Sequence, residues 1–339
     1  MSYKVPFVNF GAQYQAHKAE YDEVITRCLE KGKLILQEDV EKFEENLAEF
    51  TGFKYAVGVA DGTNAIILAL KAKGVIDQKI GVTDYTFKAT HEAVVHTNNK
   101  LLRFDTDEKT RLGPTLFVSE YFIPNIPVHI EGMVAPVNEL SILEDAAQAL
   151  GAKGVGKSGT ATYSFYPAKI LGCFGDGGAV CTNDKDVADK VRLYRHHWQS
   201  GIDERYGYNS RLDNVQAAFL NVKMQYLPEI LKRREEIANK YAVLESITEI
   251  KLPYYQEGRV WQDYVIEVPN PKALVKYLDE AGIQTLGYGM TPNHVSFNSY
   301  KLPNVTKLYE TMLRLPLSET VTDEQVEYVI TKVKEFYGV

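Results

Sequence analysis

From about residue 16 to about residue 225, short β-prone runs alternate with stretches that carry apolar side chains at helical spacing, and this alternation confines the chain to a layered fold. Tyr55 to Val59 is followed by Asn64 to Lys73, Lys79 to Val82 by Lys88 to Thr97, and then comes Lys100 to Phe104. Strand and helix in turn mark crossover units, which place helices on both faces of a mostly parallel, buried sheet. Leu140 to Leu143, Ala161 to Phe165 and Ala179 to Thr182 extend that sheet. Each ends beside polar or glycine-rich residues, where open α/β sheets hold their ligands. From Tyr226 the pattern changes to a charged helix over Glu229 to Leu244, a β run over Trp261 to Val268, a helix over Lys272 to Ala281 and a terminal helix after Thr322. The expected architecture is α/β: a large domain over 1–225 with a mostly parallel central sheet flanked by helices, then a smaller α+β C-terminal domain over 226–339.

A chain of 339 residues exceeds the size at which one core stops growing, which agrees with two domains. A net charge of -7 gives no basic face for nucleic acid or an anionic membrane surface. Cys28, Cys173 and Cys181 show no metal-type spacing and read as thiols of a reducing compartment. The start lacks the apolar core of a signal peptide, and no run approaches the ~20 apolar residues that span a bilayer, so a cytoplasmic protein is expected.

Two motifs mislead. GAKGVGKS, Gly151 to Ser158, matches the phosphate-loop pattern of nucleotide hydrolases. A phosphate loop must follow a strand and open a helix, whereas here Ala146 to Leu150 reads as a helical turn and β-prone Thr160 to Phe165 follows. HEAVVH, His91 to His96, resembles a zinc-protease motif but is one residue too long, and five residues turn the second histidine by roughly 140°. Neither it nor the adjacent His196 and His197 is assigned a metal.

Three segments fit one cofactor, pyridoxal phosphate. In VGVADGTNAIILAL a strand ends at Val59 and a helix begins near Thr63, so Gly62, the Thr63 hydroxyl and the first-turn N–H groups suit a phosphate; a plain helix cap at Asp61 or Thr63 is the bland reading. In ILEDAAQALGA, Asp145 stands at the mouth of the sheet, where a carboxylate can hold a proton on the pyridine nitrogen. Gln148, three residues on, can donate to the ring's 3′ oxygen. In TYSFYPAKILGCFGDGGAVCTND, Lys169 follows a strand within a Pro- and Gly-rich turn and can form a Schiff base with the cofactor aldehyde. Ser164 could reach the phosphate, and Gly177 and Gly178 allow close packing.

At these residues the chain resembles the sugar aminotransferases of the DegT/DnrJ/EryC1/StrS group, a branch of the type I aspartate-aminotransferase fold. PFVNFGAQYQ, ADGTNAIILAL, TFKAT, EDAAQALGA, SFYPAKILGCFGDGGAVCTND, GYNSRLDNVQAAFLNVKMQYL and LPLSETVTDEQVEYVI carry the resemblance over most of the chain. It implies that Lys169 is the catalytic, cofactor-bonded lysine, Asp145 the pyridine partner and Gln148 the 3′-oxygen partner. It further implies that Phe87 stacks on the ring, that Gly62, Thr63, Asn64 and Ser164 surround the phosphate, and that Asn209 reaches the phosphate of the neighbouring subunit. His294 matches a family histidine loosely and is taken as substrate-binding. The family has a strand, a helix and a strand before EDAAQ, while Pro114 to Leu143 is too short for all three, so one crossover helix is expected to be trimmed or lost.

The resemblance implies a PLP-dependent aminotransferase that moves an amino group from L-glutamate to a nucleotide-linked keto sugar, leaning toward 3-keto over 4-keto, in amino-sugar biosynthesis. It implies a homodimer with shared active sites. The apolar residues Leu212, Val215, Ala218, Phe219 and Val222 recur at helical spacing and suit either a two-fold interface or packing within their own chain. A related dehydratase carries histidine at the lysine position, against Lys169 here, and a catalytically silent regulator on the same fold is the rival from another class.

Overall fold

The computed structural model describes residues 3–113, 123–198, 206–287 and 301–339. The chain begins with helices α1 (Phe10–Ala16), α2 (Lys18–Glu30) and α3 (Glu38–Thr51), then runs through β1 (Tyr55–Val59), α4 (Gly62–Ala72), β2 (Lys79–Thr83), α5 (Lys88–His96) and β3 (Lys100–Phe104). β4 (Glu144–Asp145), β5 (Thr160–Ser164), β6 (Gly178–Thr182), α6 (Lys185–Arg195), α7 (Asn214–Met224) and α8 (Leu227–Tyr241) follow. The remainder holds β7 (Tyr264–Glu267), α9 (Pro271–Glu280), α10 (Pro303–Thr311), β8 (Met312–Leu315) and α11 (Asp323–Tyr337).

Strands β1, β6, β5 and β4 form one ladder in that order, and β2 pairs with β3 in parallel. An extended segment at 124–128 joins the two, through parallel bridges Gly81↔Asn125, Asn125↔Ser141 and Val128↔Asp145. The sheet is thus continuous and mostly parallel, with β6 antiparallel to both neighbours. Helix α4 owes its stability to burial more than to amphipathicity: seven of its residues, Ala65 to Leu70 and Ala72, are buried between the sheet and helices α5 and α6.

Among the described residues of the 114–143 stretch, 123–143, no crossover helix is present. Between the 124–128 segment and β4 the chain makes only a 3₁₀ turn, Ile130–Gly132, and an irregular loop. Parallel neighbours need about a dozen connecting residues, which this stretch just supplies. The apolar run at 140–143 precedes the strand rather than forming it: Ser141 bridges Asn125, and the ladder proper is Glu144–Asp145.

The glycine loop that mimics a phosphate loop leads into β5, a strand, as its context required. It does bind an anion, but an internal one. The N–H groups of Gly156 and Ser158 donate to Oε2 and Oε1 of Glu144 at 2.8 and 2.7 Å, and His129 Nε2 lies at 2.9 Å from the same Oε2. The Nδ1 of His129 accepts from the Ala135 N–H, so Nε2 is the nitrogen that donates to Glu144. In HEAVVH, His91 is buried against the Thr83 carbonyl and Arg103 while His96 is exposed, so the two share no face.

A second apolar cluster gathers Ile237, Tyr241, Trp261, Ile266, Leu274, Leu313 and Val329 around β7 and β8. Val5 belongs to it and pairs with Ile283, while α8 places Leu227 and Ile230 in the first core and Ile237 and Tyr241 in the second. Helix α7 packs inside its own chain: Ala217 and Leu220 enter the sheet-side core, and Phe219 and Val222 lie against Tyr21 of α2. Of the expected stripe, Leu212 joins the sheet-side core, and Val215, Phe219 and Val222 belong to the cluster with Tyr21.

Glu144 is wholly buried. Burial alone would raise its carboxyl, but the bonds from His129, Ser158 and Gly156 outweigh this and hold it below the usual carboxylate range. The stabilisation is therefore complete above the unfolded value of about 4.3 and drains as pH falls through the lower folded value. Glu144→Gln should cost about 1–3 kcal/mol near neutral pH, and the gap in Tm to wild type should narrow in acid. A gap that stays constant from pH 7 to pH 3 would refute these bonds.

Candidate active site

Two cavities, of about 420 and 520 Å³, open side by side beyond the ends of the central strands and share Thr86, Phe87, Ile130, Gln148, Tyr166 and Lys169. The first is closed at one end by α4. Asp61 caps this helix by accepting from the Asn64 N–H at 2.8 Å, and Gly62 and Thr63 line the cavity with first-turn N–H groups that no carbonyl of the helix can reach. With the helix dipole they form an anion site. Close backbone approach makes the site: a Cβ on Gly178 would lie 2.4 Å from the Asp61 carbonyl, and one on Gly62 would lie 2.8 Å from the Cβ of Ser164. Ser164 lines the same end. Asn64, expected at the phosphate, departs from the expectation. Both its N–H and its side-chain amide bond Asp61, the latter at 2.7 Å, and it does not line the cavity.

Asp145 ends β4 and is buried in the middle of this cavity's wall. Its carboxylate accepts from the Thr90 hydroxyl at 2.7 Å and the Ala147 N–H at 3.1 Å, which fixes its orientation. The side-chain carbonyl of Gln148 accepts from the Glu131 N–H at 2.8 Å, so the amide NH₂ is the end available to a ligand. Phe87, exposed at the N-terminus of α5, lines both cavities. Lys169 stands in the turn after β5, with its N–H on the Tyr166 carbonyl at 2.8 Å. Burial pushes its amine below the ordinary lysine range; Asp263 and Asp145 oppose this, and Arg314 adds to it. A lowered amine is what a Schiff-base nucleophile requires.

The donor set suits pyridoxal phosphate. An anion cradle, a buried and oriented carboxylate, an amide donor and a lowered lysine amine surround one cavity of the right order of size. Among the described residues no cluster of histidine, cysteine and acidic side chains could hold a metal, and Cys28, Cys173 and Cys181 are buried thiols.

The second cavity holds the residues that the sequence did not disclose. Tyr85, Gln262, Asp263, Tyr309 and Arg314 line it, with Arg314 3.4 Å from Asp263. They come from distant stretches and share no motif. Thr90 carried a faint signal, three residues after Phe87 on the same helix. Asn209 does not line the cavity of its own chain; it is exposed and forms an isolated bridge with His196. His294 lies outside the described residues.

The family model for the DegT/DnrJ/EryC1/StrS aminotransferase family matches residues 15–334. The chain is 34% identical to the "Pleiotropic regulatory protein" of Geobacillus stearothermophilus, over 98% of each chain. It is 33% identical to the dTDP-3-amino-3,4,6-trideoxy-alpha-D-glucose transaminase of Streptomyces venezuelae, over 98% of this chain and 96% of that one. The crystal structure of S. venezuelae DesV in complex with a ketimine intermediate superposes with a TM-score of 0.92 at 31% identity, over the full length of both chains. Enzymes of this family depend on pyridoxal phosphate. The chain belongs to the DegT/DnrJ/EryC1/StrS aminotransferase family.

Proposed function

We propose that the protein is a nucleotide-sugar aminotransferase that takes an amino group from L-glutamate and delivers it to a keto sugar, with a lean toward 3-keto substrates. The observation that carries this is the convergence of Lys169, Asp145, Gln148 and the N-terminus of α4 on one cavity that opens into a second, polar one. The relatives named as 3-amino-sugar transaminases support the choice of substrate. When bound, pyridoxal phosphate supplies an aldehyde that bonds amines and a ring that withdraws electrons.

The chain's own residues do the rest. Gly62, Thr63 and Ser164 hold the phosphate. Asp145, held by Thr90 and the Ala147 N–H, keeps a proton on the pyridine nitrogen. Gln148 donates its amide to the 3′ oxygen. The Lys169 Nζ would bond the cofactor aldehyde at rest and, as a base and acid, would take up and give back the proton of the donor's α-carbon. The second cavity admits glutamate and the keto sugar in turn, which implies ping-pong kinetics. We also assign 1–225 and 226–339 to a large and a small domain, His294 to the substrate side and the protein to the cytoplasm; among the described residues no helix is long and apolar enough to cross a membrane. The rival reading, a silent regulator, draws on the name of the Geobacillus relative. A visible absorption band that shifts on adding glutamate excludes it, and a panel of 3-keto and 4-keto nucleotide sugars in a coupled assay identifies the acceptor.

Lys169→Ala should leave no borohydride-reducible adduct and lose nearly all turnover. A reducible adduct with normal transamination in the purified variant would put the amine elsewhere. Asp145→Asn should fold with nearly wild-type stability yet slow the glutamate half-reaction at least about tenfold, the factor carried by ~1.4 kcal/mol. Equal single-turnover rates in variant and parent would remove Asp145 from the ring nitrogen.

Asn209 is proposed to complete the phosphate site of a second copy, which its exposure and its absence from its own cavity support. Mixing Lys169→Ala with Asn209→Ala chains should then restore about a quarter of wild-type activity, because one site of each mixed dimer escapes both lesions. No recovery, with subunit exchange shown independently and Asn209→Ala alone impaired, would place Asn209 in its own site.

A further inference from the structure

The backbone around Lys169 is held by a side chain that lies 92 residues beyond Ile170 in the sequence. The Gln262 carbonyl oxygen accepts from the Ile170 N–H at 3.1 Å, and its amide nitrogen donates to the Ala168 carbonyl at 3.0 Å. The two bonds together settle which end of the amide is which, since a flipped Gln262 would satisfy neither. Gln262 is buried and lines the second cavity. Its own backbone is pinned in turn. The fully buried Arg234 of α8 donates to the carbonyls of Trp261, Gln262 and Leu317 at 3.2, 3.2 and 3.1 Å and pairs with Glu319 at 3.3 Å.

We propose that Gln262 is a positioning residue for the reaction: an amide clamp on both neighbours of Lys169, anchored through Arg234, that sets where the lysine amine stands between the two cavities. The proposal rests on the reading of Lys169 as the amine that bonds the cofactor. No contact to cofactor or substrate is required of Gln262. Its two hydrogen bonds limit the backbone freedom of residues 168–170, and with it the arc that Nζ can sweep. A misplacement of about 1 Å at a reacting amine is worth up to ~10²-fold in rate.

The test follows attachment of pyridoxal phosphate to the cofactor-free protein across pH, read as borohydride-reducible adduct, together with single-turnover rates on glutamate. Gln262→Leu fills similar space and makes neither bond. Asp145 from β4, Asp263 at the entry of β7 and Arg314 from β8 face Lys169 in wild type and variant alike, so they do not distinguish the two. The released amine gains water, and the pH profile of attachment should move upward. The single-turnover rate should fall roughly tenfold or more while the KM for glutamate changes less than about twofold. In a Lys169→Ala background, with methylamine supplied as the base, adding Gln262→Leu should change the rate less than about twofold, because nothing is left to position. An unmoved pH profile, or an equal loss in both backgrounds, overturns the proposal. Failure of the wild-type chain to form any adduct overturns the reading of Lys169 instead, and the clamp with it. If Gln262→Leu does not fold, Gln262→Asn, one methylene too short to reach both bonds, serves the same comparison with the same outcomes.

Discussion

The pleat of one very short strand separates the two carboxylates on which the molecule depends. Glu144 and Asp145 are consecutive in β4, and successive side chains of a strand leave opposite faces of the sheet. Glu144 is therefore sent to the glycine loop at 156–158 and to His129, and Asp145 to Thr90 and the cofactor cavity. The first carboxylate accepts from Gly156, Ser158 and His129 and does not line the cofactor cavity. The second accepts one hydrogen bond on each oxygen, from Thr90 and from the Ala147 N–H, and lines the cofactor cavity. The backbone ties them further, since the His129 N–H donates to the Asp145 carbonyl.

The glycine loop shows how a motif can be physically meaningful and functionally misleading. Closely spaced N–H groups in a glycine-rich turn do make an anion nest. In this fold the anion is a side chain of the same chain, and the loop closes the bottom of the sheet instead of holding a nucleotide. The letters of the pattern specify a backbone that can turn; what it turns around depends on the neighbouring strand.

The C-terminal part of the chain acts on the site from behind. Arg259 donates to the Glu131 carbonyl at 2.7 Å, and Glu131, in a left-handed backbone with φ 57°, presents the N–H that orients Gln148. The Glu131 carboxylate is itself held by Tyr85 and by Arg111, which also pairs with Glu267. Strained backbone of this kind persists only where the surroundings over-determine it.

Local chemistry determined what could be read from the sequence alone. Alternating periods of two and 3.6 specify strands and helices, so β1, β3, β5 and α4 were legible almost residue by residue, and the motifs singled out Lys169, Asp145 and Gln148, which the fold brings to one cavity. Asn64 sits where a cap and a phosphate compete for the same helix N-terminus, and in this structure its N–H and its amide both bond Asp61. The spacing in α7 fixed a helix but not its partner, because the same stripe can face its own core or a second copy. Gln262, Asp263 and Arg314 could not be read at all. Their meaning lies in distances to Lys169 across roughly a hundred residues of chain or more, and such contacts exist only after two cores have packed together.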